Sequence, residues 1–481
     1  MSVVQFTFAI LVVYLIALKT VSIWAYRRSV ASSEDYFLAR RNVTFFALIA
    51  TTAASIFSTG TVISAPSEFF TKGSNYFWIF FFMFVPLAMM PVALKIWRIG
   101  KFKKFVTPGD LLSDFYQCHR TKIVTAIIGL LALIPYSTAQ MVAIGKTFEA
   151  LTNGAVSYDM GVTIVCAAIG LYLYFGGSRA VIWTDMVQGV IFMTLLLITG
   201  ILAAQWAGGW QLMNATLLND YPDKATFSFN FHYFEYIPIT ASFFLLPHVW
   251  QRIYMAKTAN ALAKNIMILP FVFLFLFSAT WVIGTAGYSM FPNGLADGDN
   301  LMGAMFAQQA PYFGAFVLVA AFAAGMSTTD SQLLSAGAIF THDFRPSTPV
   351  RNDKKDFMIA RFSTLSLLAF IYVWSLFLQS QSVFGLIILG VSLTVIFIPA
   401  VFGMFFWRRA SSAAAFWSLT SGLIIFLVHH FTALSEYFPG KLGASGWGLI
   451  VATLVFVVVS FIGGGKALDK KRAEYAKLLA V

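Results

Sequence analysis

The chain is expected to be an all-α membrane protein of about 13 transmembrane helices, and three observations carry that expectation. Its 481 residues are 59% hydrophobic and only 11% charged, with a mean hydropathy of +0.78, far outside the composition of a soluble globular chain. Apolar runs close to the length of a bilayer crossing recur from one end to the other. The basic residues cluster in alternate loops, as they do when every second loop faces the cytoplasm.

Taken in order, the first run covers residues 5–26; without a basic leader or a small-residue cleavage site it reads as a retained span rather than a signal peptide. The second, 45–71, carries Thr51, Thr52, Ser55, Ser58, Thr59, Gly60 and Thr61 at its centre. Hydroxyls and a glycine there suit a broken helix better than a lipid-facing one. Spans 76–99, 124–151, 160–175 and 181–206 follow, the last holding Asp185 just after Trp183 and Thr184. The seventh, 236–255, contains Pro238 and Pro247, each removing a backbone donor, so an interruption is expected there too. Runs at 266–290, 314–340, 357–378, 384–407, 413–432 and 446–462 complete the set.

An odd number of spans places the termini on opposite faces. With the N-terminus outside and the C-terminus in the cytoplasm, 27 of the 32 Lys and Arg fall on the inner side, including Arg27, Arg28, Arg345, Arg351 and Arg252. Lys72, Lys146, Lys224 and Lys441 fall outside, and Lys19 lies within the first span. The net charge of +12 is thus dispersed over the inner loops, which excludes a nucleic-acid surface. Two cysteines, Cys118 and Cys166, support neither a disulfide framework nor a thiolate metal site. No phosphate-binding loop, nucleophile triad or metalloprotease motif is found, so an enzyme is not expected.

Spans two and seven, the two broken ones, are five apart. They head two consecutive five-helix sets, two to six and seven to eleven, which insert with opposite orientation because five is odd. Interrupted helices at matching positions of inverted halves point to a midplane transport site. The chain divides accordingly into an N-terminal helix and loop (1–43), a first repeat (44–230), a second repeat (231–409) and two peripheral helices with a tail (410–481).

The ninth span contains AAGMSTTDSQLLSAGAIFTHD at 323–343. Ser327, Asp330 and Ser331 share one helical face, with Thr328 beside them and Ala324 a turn earlier. Hydroxyls, a carboxylate and freed carbonyls form an oxygen cage for a hard cation, and the lack of His or Cys argues against zinc or copper. The plainer reading has the hydroxyls bonding back to their own helix and Asp330 held neutral by a neighbour. Asp185 stands either opposite Asp330 or at a second ion.

Four stretches carry a family resemblance: TPGDLLSDFY at 107–116, FGGSRAVIWTDMVQ at 175–188, PHVWQRIYMAK at 247–257 and MSTTDSQLL at 326–334. Through them the chain resembles the sodium:solute symporter family, which includes bacterial proline, pantothenate, sialic acid and sugar carriers. The resemblance implies a leucine-transporter-like 5+5 inverted-repeat core, with one extra helix before it and two after. It also implies a sodium (Na+) site built from the Ala54 and Phe57 carbonyls, the Ala324 carbonyl, and the Ser327 and Thr328 hydroxyls. A second sodium position would fall on Asp185, Ser327, Asp330 and Ser331. Asp330 stands where a small polar residue is expected, which opens the alternative of an ion pair or a proton-titrating group.

The resemblance places the solute against Phe57, Ser58, Thr61, Phe80, Met83, Tyr136, Ser137, Gln140, Ser242 and Phe243. This aromatic set with a few hydroxyls lacks the acid and amide groups that a sugar site would need at Phe80, Met83 and Ile239, and suits a small carboxylate or a pantothenate-like organic acid. No arginine is expected at membrane depth. The function expected is a sodium-coupled symporter that imports a small organic solute across a bacterial inner membrane, with sodium and solute as its partners and no obligate protein partner evident. The alternatives are a proton-coupled carrier using Asp330 or Asp185, an amino-acid (proline-like) symporter, and a non-transporting sensor. His248 reads as gate packing, the His429 and His430 pair as interfacial, and Glu68 as a solvated residue near the outer mouth.

Overall fold

The computed structural model describes residues 1–27, 33–173, 178–344, 353–440, 442–463 and 466–480. Arg28, residues 175–177 of the second motif, Arg345, Arg351 and Lys441 lie outside the described residues. Helix is the regular structure throughout, and the one β contact is an isolated bridge between Val43 and Ala256. Among the described residues ten helices are long and apolar enough to cross a membrane, and two shorter apolar helices accompany them.

The helices that position the site are α1 (Val3–Tyr26), α2 (Phe45–Ile56), α3 (Ala65–Lys72), α4 (Met90–Lys103), α5 (Pro108–Tyr116), α6 (His119–Leu151), α7 (Tyr158–Leu173), α8 (Ser178–Trp206), α9 (Tyr236–Ser242), α10 (Pro247–Met255), α11 (Ala259–Met290) and α12 (Pro311–His342). Helix α12 is the axis of the molecule: α1, α2, α6, α8 and α10 all pack against it, and nearly every residue from Val317 to Ile339 is buried. A helix that is polar in its middle and enclosed on all sides has its hydroxyls and carboxylate facing protein rather than lipid.

Both expected interruptions are present. Span two stops at Ile56, Phe57 turns extended (φ −76°, ψ 97°), and after Ser58 and Thr59 the chain re-enters helix through a π-turn at Gly60–Ser64 before α3. A side chain at Gly60 would collide with Ile387, its Cβ falling 2.6 Å from the Ile387 Cδ1, so glycine there permits close packing. Span seven breaks at Leu246, extended at φ −59°, ψ 132°, because the ring of the following Pro247 excludes the helical conformation at the preceding residue. Pro238 does not contribute: it lies in the first turn of α9, where a missing N–H leaves no bond broken. Span three, expected to be continuous, is itself irregular, a short helix Trp78–Phe82 joining α4 through a 3-10 segment Val85–Met89 that holds Pro86.

Helix α5 begins in a capping box, where Thr107 and Asp110 exchange side-chain and backbone bonds. From there the ends of three helices are tied together. Lys122 on α6 pairs with Asp110 at 2.8 Å and Asp343 at 3.6 Å, and the Thr107 hydroxyl donates to Asp343 at 2.7 Å. Burial works to raise the Asp110 carboxyl, but the charges of Lys122 and His342 and the hydrogen bonds from Lys122 and the Val106 amide together hold the group below its usual range; burial and the charge of Asp110 push Asp343 up. At the other end, Lys146 is buried rather than loop-exposed and pairs with Asp297 and Asp299. Glu68, expected to be solvated, is buried and paired with Lys72.

Candidate ion and solute site

The break in span two frees the last carbonyls of α2, and α12 delivers hydroxyls to them. The Ser327 Oγ donates to the Ala54 carbonyl at 2.7 Å and approaches the Ala324 carbonyl at 3.1 Å. The Thr328 Oγ1 lies 3.5 Å from the same Ala54 oxygen. Gly325 makes this approach possible, since a Cβ there would fall 3.1 Å from Thr59 and 2.8 Å from Ile144. Four oxygens from two helices therefore converge with no nitrogen or sulfur among them, a donor set that fits a hard monovalent cation once the hydroxyl protons turn outward. Among the described residues no hydroxyl donates to the Phe57 carbonyl, and the Phe57 ring packs on Phe273 with centroids 4.2 Å apart.

Gln140 holds the break open. Its side-chain oxygen accepts from the Thr59 backbone N–H at 3.0 Å and the Thr59 hydroxyl at 2.8 Å, while its amide donates to the Tyr136 carbonyl at 3.0 Å. An unpaired backbone amide buried at membrane depth costs several kcal/mol, and this side chain removes that cost.

The residues expected at a second cation position are arranged differently. Ser331 donates to the Ser327 carbonyl at 2.9 Å and sits 3.0 Å from the Ser55 hydroxyl. Asp185, fully buried, accepts from the Thr51 hydroxyl at 2.5 Å and pairs with Arg252 at 3.4 Å. The same guanidinium bonds the Ser331 hydroxyl and lies 3.3 Å from Thr51. Arg252, placed on the inner side by its sequence position and not expected at the site, is 2% exposed and puts its cation among the second-site oxygens. The signal was in the sequence, since Arg252 falls inside the 236–255 run assigned to the membrane. Asp330 is not part of this network, and neither of its carboxylate oxygens has a hydrogen-bond partner among the described residues.

On the other side of the break lies a cavity of about 90 Å³. Of the residues expected to line it, Ser58, Thr61, Met83, Tyr136 and Phe243 do so, joined by Tyr76, Trp78, Tyr236, Thr240 and Phe273. Phe57, Phe80, Gln140 and Ser242 do not border it. Phe80 packs into the Phe69 and Phe77 rings. Ser242 bonds the Ile239 carbonyl at 2.8 Å and accepts from Thr394 at 3.1 Å. Ser137 likewise turns away, donating to Gln332 at 2.5 Å. Among the described residues no charged side chain lines the cavity, and Trp78 and Tyr236 stack across one end at 3.8 Å. His248 sits behind Tyr136 with ring centroids 5.9 Å apart, as packing rather than lining.

Comparison with known proteins bears on the family and the fold. The sodium:solute symporter family model matches residues 36–422. The sodium/pantothenate symporter of Haemophilus influenzae is 24% identical over 486 residues, covering 97% of both chains. The sodium/proline symporter of Staphylococcus aureus is 24% identical over 496 residues, covering 94% of this chain and 92% of its own. Among solved structures, a Na+-coupled sialic acid symporter in a substrate-bound outward-open state superposes with a TM-score of 0.77 at 17% identity, over 95% of this chain and 98% of that one. At that identity the likeness shows the fold, which is leucine-transporter-like. The match over most of the chain makes this multi-pass membrane protein a transporter rather than an enzyme, a member of the sodium:solute symporter family.

Proposed function

We propose that the chain imports a small organic acid, monocarboxylate or pantothenate-like, together with sodium, by alternating access. The single observation that supports this reading is the meeting of the Ser327 hydroxyl and the Ala54 carbonyl at the broken helix, one helix turn from a cavity that Ser58 and Tyr136 border. In this reading Ala54, Ala324, Ser327 and Thr328 hold the sodium. Ser58, Thr61, Met83, Tyr136 and Phe243 contact the solute. Sodium completes the geometry of the break, and the ordered break presents Ser58 and Thr61 to the solute, so each occupant favours the other. Thirteen spans, a 5+5 inverted repeat and an external N-terminus belong to the same proposal.

The energetics suffice. One sodium carried with one carboxylate anion moves no net charge, so the sodium gradient does the work: a tenfold gradient is worth about 1.4 kcal/mol and supports about tenfold accumulation. The test is uptake into proteoliposomes of candidate monocarboxylates, pantothenate, proline and sugars, driven by sodium or by potassium. Accumulation of a carboxylate with sodium alone supports the reading; wild-type uptake indifferent to sodium sinks it.

One observation favours a second reading. Among the described residues both Asp330 carboxylate oxygens are without a hydrogen-bond partner, which suits a carrier that moves a proton as well. Uptake that follows an imposed pH gradient without sodium, and is lost in Asp330→Asn, would select it. Proline as solute and a sensor that binds without accumulating are separated by the same uptake measurements.

A further inference from the structure

Lys19 is the anomaly of α1. It stands on the exposed side of a helix that otherwise presents Val12, Val13 and Ile16 to the bilayer, and it makes no hydrogen bond or ion pair with the described residues. It lies seven residues before Tyr26, the last helical residue, which is about 10 Å along the axis at 1.5 Å per residue. The Cα–Cβ bonds of a helix tilt toward its N-terminus, so this side chain starts out pointing away from the nearer interface and snorkels there against its own geometry. A lone ammonium at that depth is costly unless an anion comes to it.

Beside Lys19 runs a groove of about 210 Å³ between α1 and α7, lined by Leu15, Ile16, Ala168 and Leu171 and floored by Met326 of α12. Its walls are apolar, and among the described residues Lys19 is its one charged group. A cation beside an apolar channel at membrane depth matches a single kind of occupant, an amphiphile with an anionic head. We propose that this groove binds an anionic phospholipid, its phosphate on the Lys19 ammonium and one acyl chain along Leu15, Ile16, Ala168 and Leu171 to Met326. Lys19 lies toward the end of α1 that leads to the exposed Arg27, where further positive charge favours anionic headgroups. Met326 directly precedes Ser327, so the acyl chain backs the segment of α12 that carries the ion-site hydroxyls.

The test is native mass spectrometry of the full chain after equilibration with mixed vesicles of phosphatidylglycerol and phosphatidylcholine. Wild type should retain phosphatidylglycerol in preference, Lys19→Gln should lower that preference about fivefold, the worth of one basic residue near the headgroups, and Lys19→Arg should restore it. Ala168→Trp, which fills the groove with Lys19 intact, should lower retention of the bound lipid as well. Equal retention of the two lipids by wild type, or unchanged preference in Lys19→Gln, overturns the proposal and leaves Lys19 as a snorkelling residue. Loss of the adduct to millimolar inorganic phosphate alone would overturn it in favour of a free-phosphate site. Lys19 is exposed, so its variants keep the fold, and the readout does not depend on whether the chain transports anything.

Discussion

The two sides of the break in span two are built on opposite principles. On the α12 side the Ala54 carbonyl, the Ser327 and Ser331 hydroxyls, one Asp185 oxygen and the Arg252 guanidinium meet in bonds that join different helices. On the cavity side the walls are rings and aliphatic chains that pack by shape, with only a few hydroxyls, those of Ser58, Thr61, Tyr136 and Thr240, among them. An ion that must be stripped of water demands a full set of oxygens at fixed distances, whereas a partly apolar solute needs surface and a small number of donors. The ion side should therefore fail sharply and the solute side gradually.

The largest expected effect breaks the ion side at its charge pair. Arg252→Met leaves Asp185 buried and unpaired and should cost about 3–5 kcal/mol, read as a fall in thermal unfolding temperature; the double change with Asp185→Leu should recover most of it. Equal loss in single and double variants would mean that the pair does not carry the stability. Next, Ser327→Ala with Thr328→Ala removes two oxygens from the cation and should lower apparent sodium affinity about 100-fold, at roughly 1.5 kcal/mol for each bond to a charge. Sodium-dependent shifts in unfolding temperature measure it, and an unchanged sodium response would refute the ion site.

Gln140→Leu orphans the Thr59 amide and should cost about 1–3 kcal/mol, weakening sodium and solute together because the brace serves both sides. A loss confined to solute would instead make Gln140 a lining residue. Tyr136→Phe should raise the solute half-saturation several-fold, as expected from about 1 kcal/mol for one neutral hydrogen bond, with sodium affinity unmoved. Met83→Leu, a volume-conserving swap on the cavity wall, should change either by less than about 1.5 kcal/mol. If Tyr136→Phe shifted sodium affinity as strongly as Ser327→Ala with Thr328→Ala does, the contrast between the two sides would not hold.

Legibility in the sequence followed the same division. Ser327, Thr328, Asp330 and Ser331 stand out because polar groups have no business at membrane depth unless something meets them there. The interruption of span seven is legible from Pro247 and that of span two from its hydroxyls and Gly60. Phe57, Phe80, Gln140 and Ser242 show the limit. An aromatic or small polar residue near a break can face the cavity, the neighbouring helix or the break itself, and only the rotation of each segment about its axis decides. Pro238 is a related case: the same residue breaks a helix in its interior and is tolerated in its first turn, and the boundary at Tyr236 made the difference.

What the sequence determined by itself is everything that follows from the solvent. A bilayer allows only long apolar helices, basic loops on one side, and polar clusters where an ion or a break accepts them, and each of these is a property of local composition. What only the tertiary structure decided is pairing: that Asp185 faces the Arg252 cation rather than Asp330, that Gln140 braces Thr59, and that Lys122 joins Asp110 to Asp343. Charges and hydrogen bonds act over a few ångströms between residues far apart in the chain, and no one-dimensional pattern records which of them the packing of α12 brings within that distance.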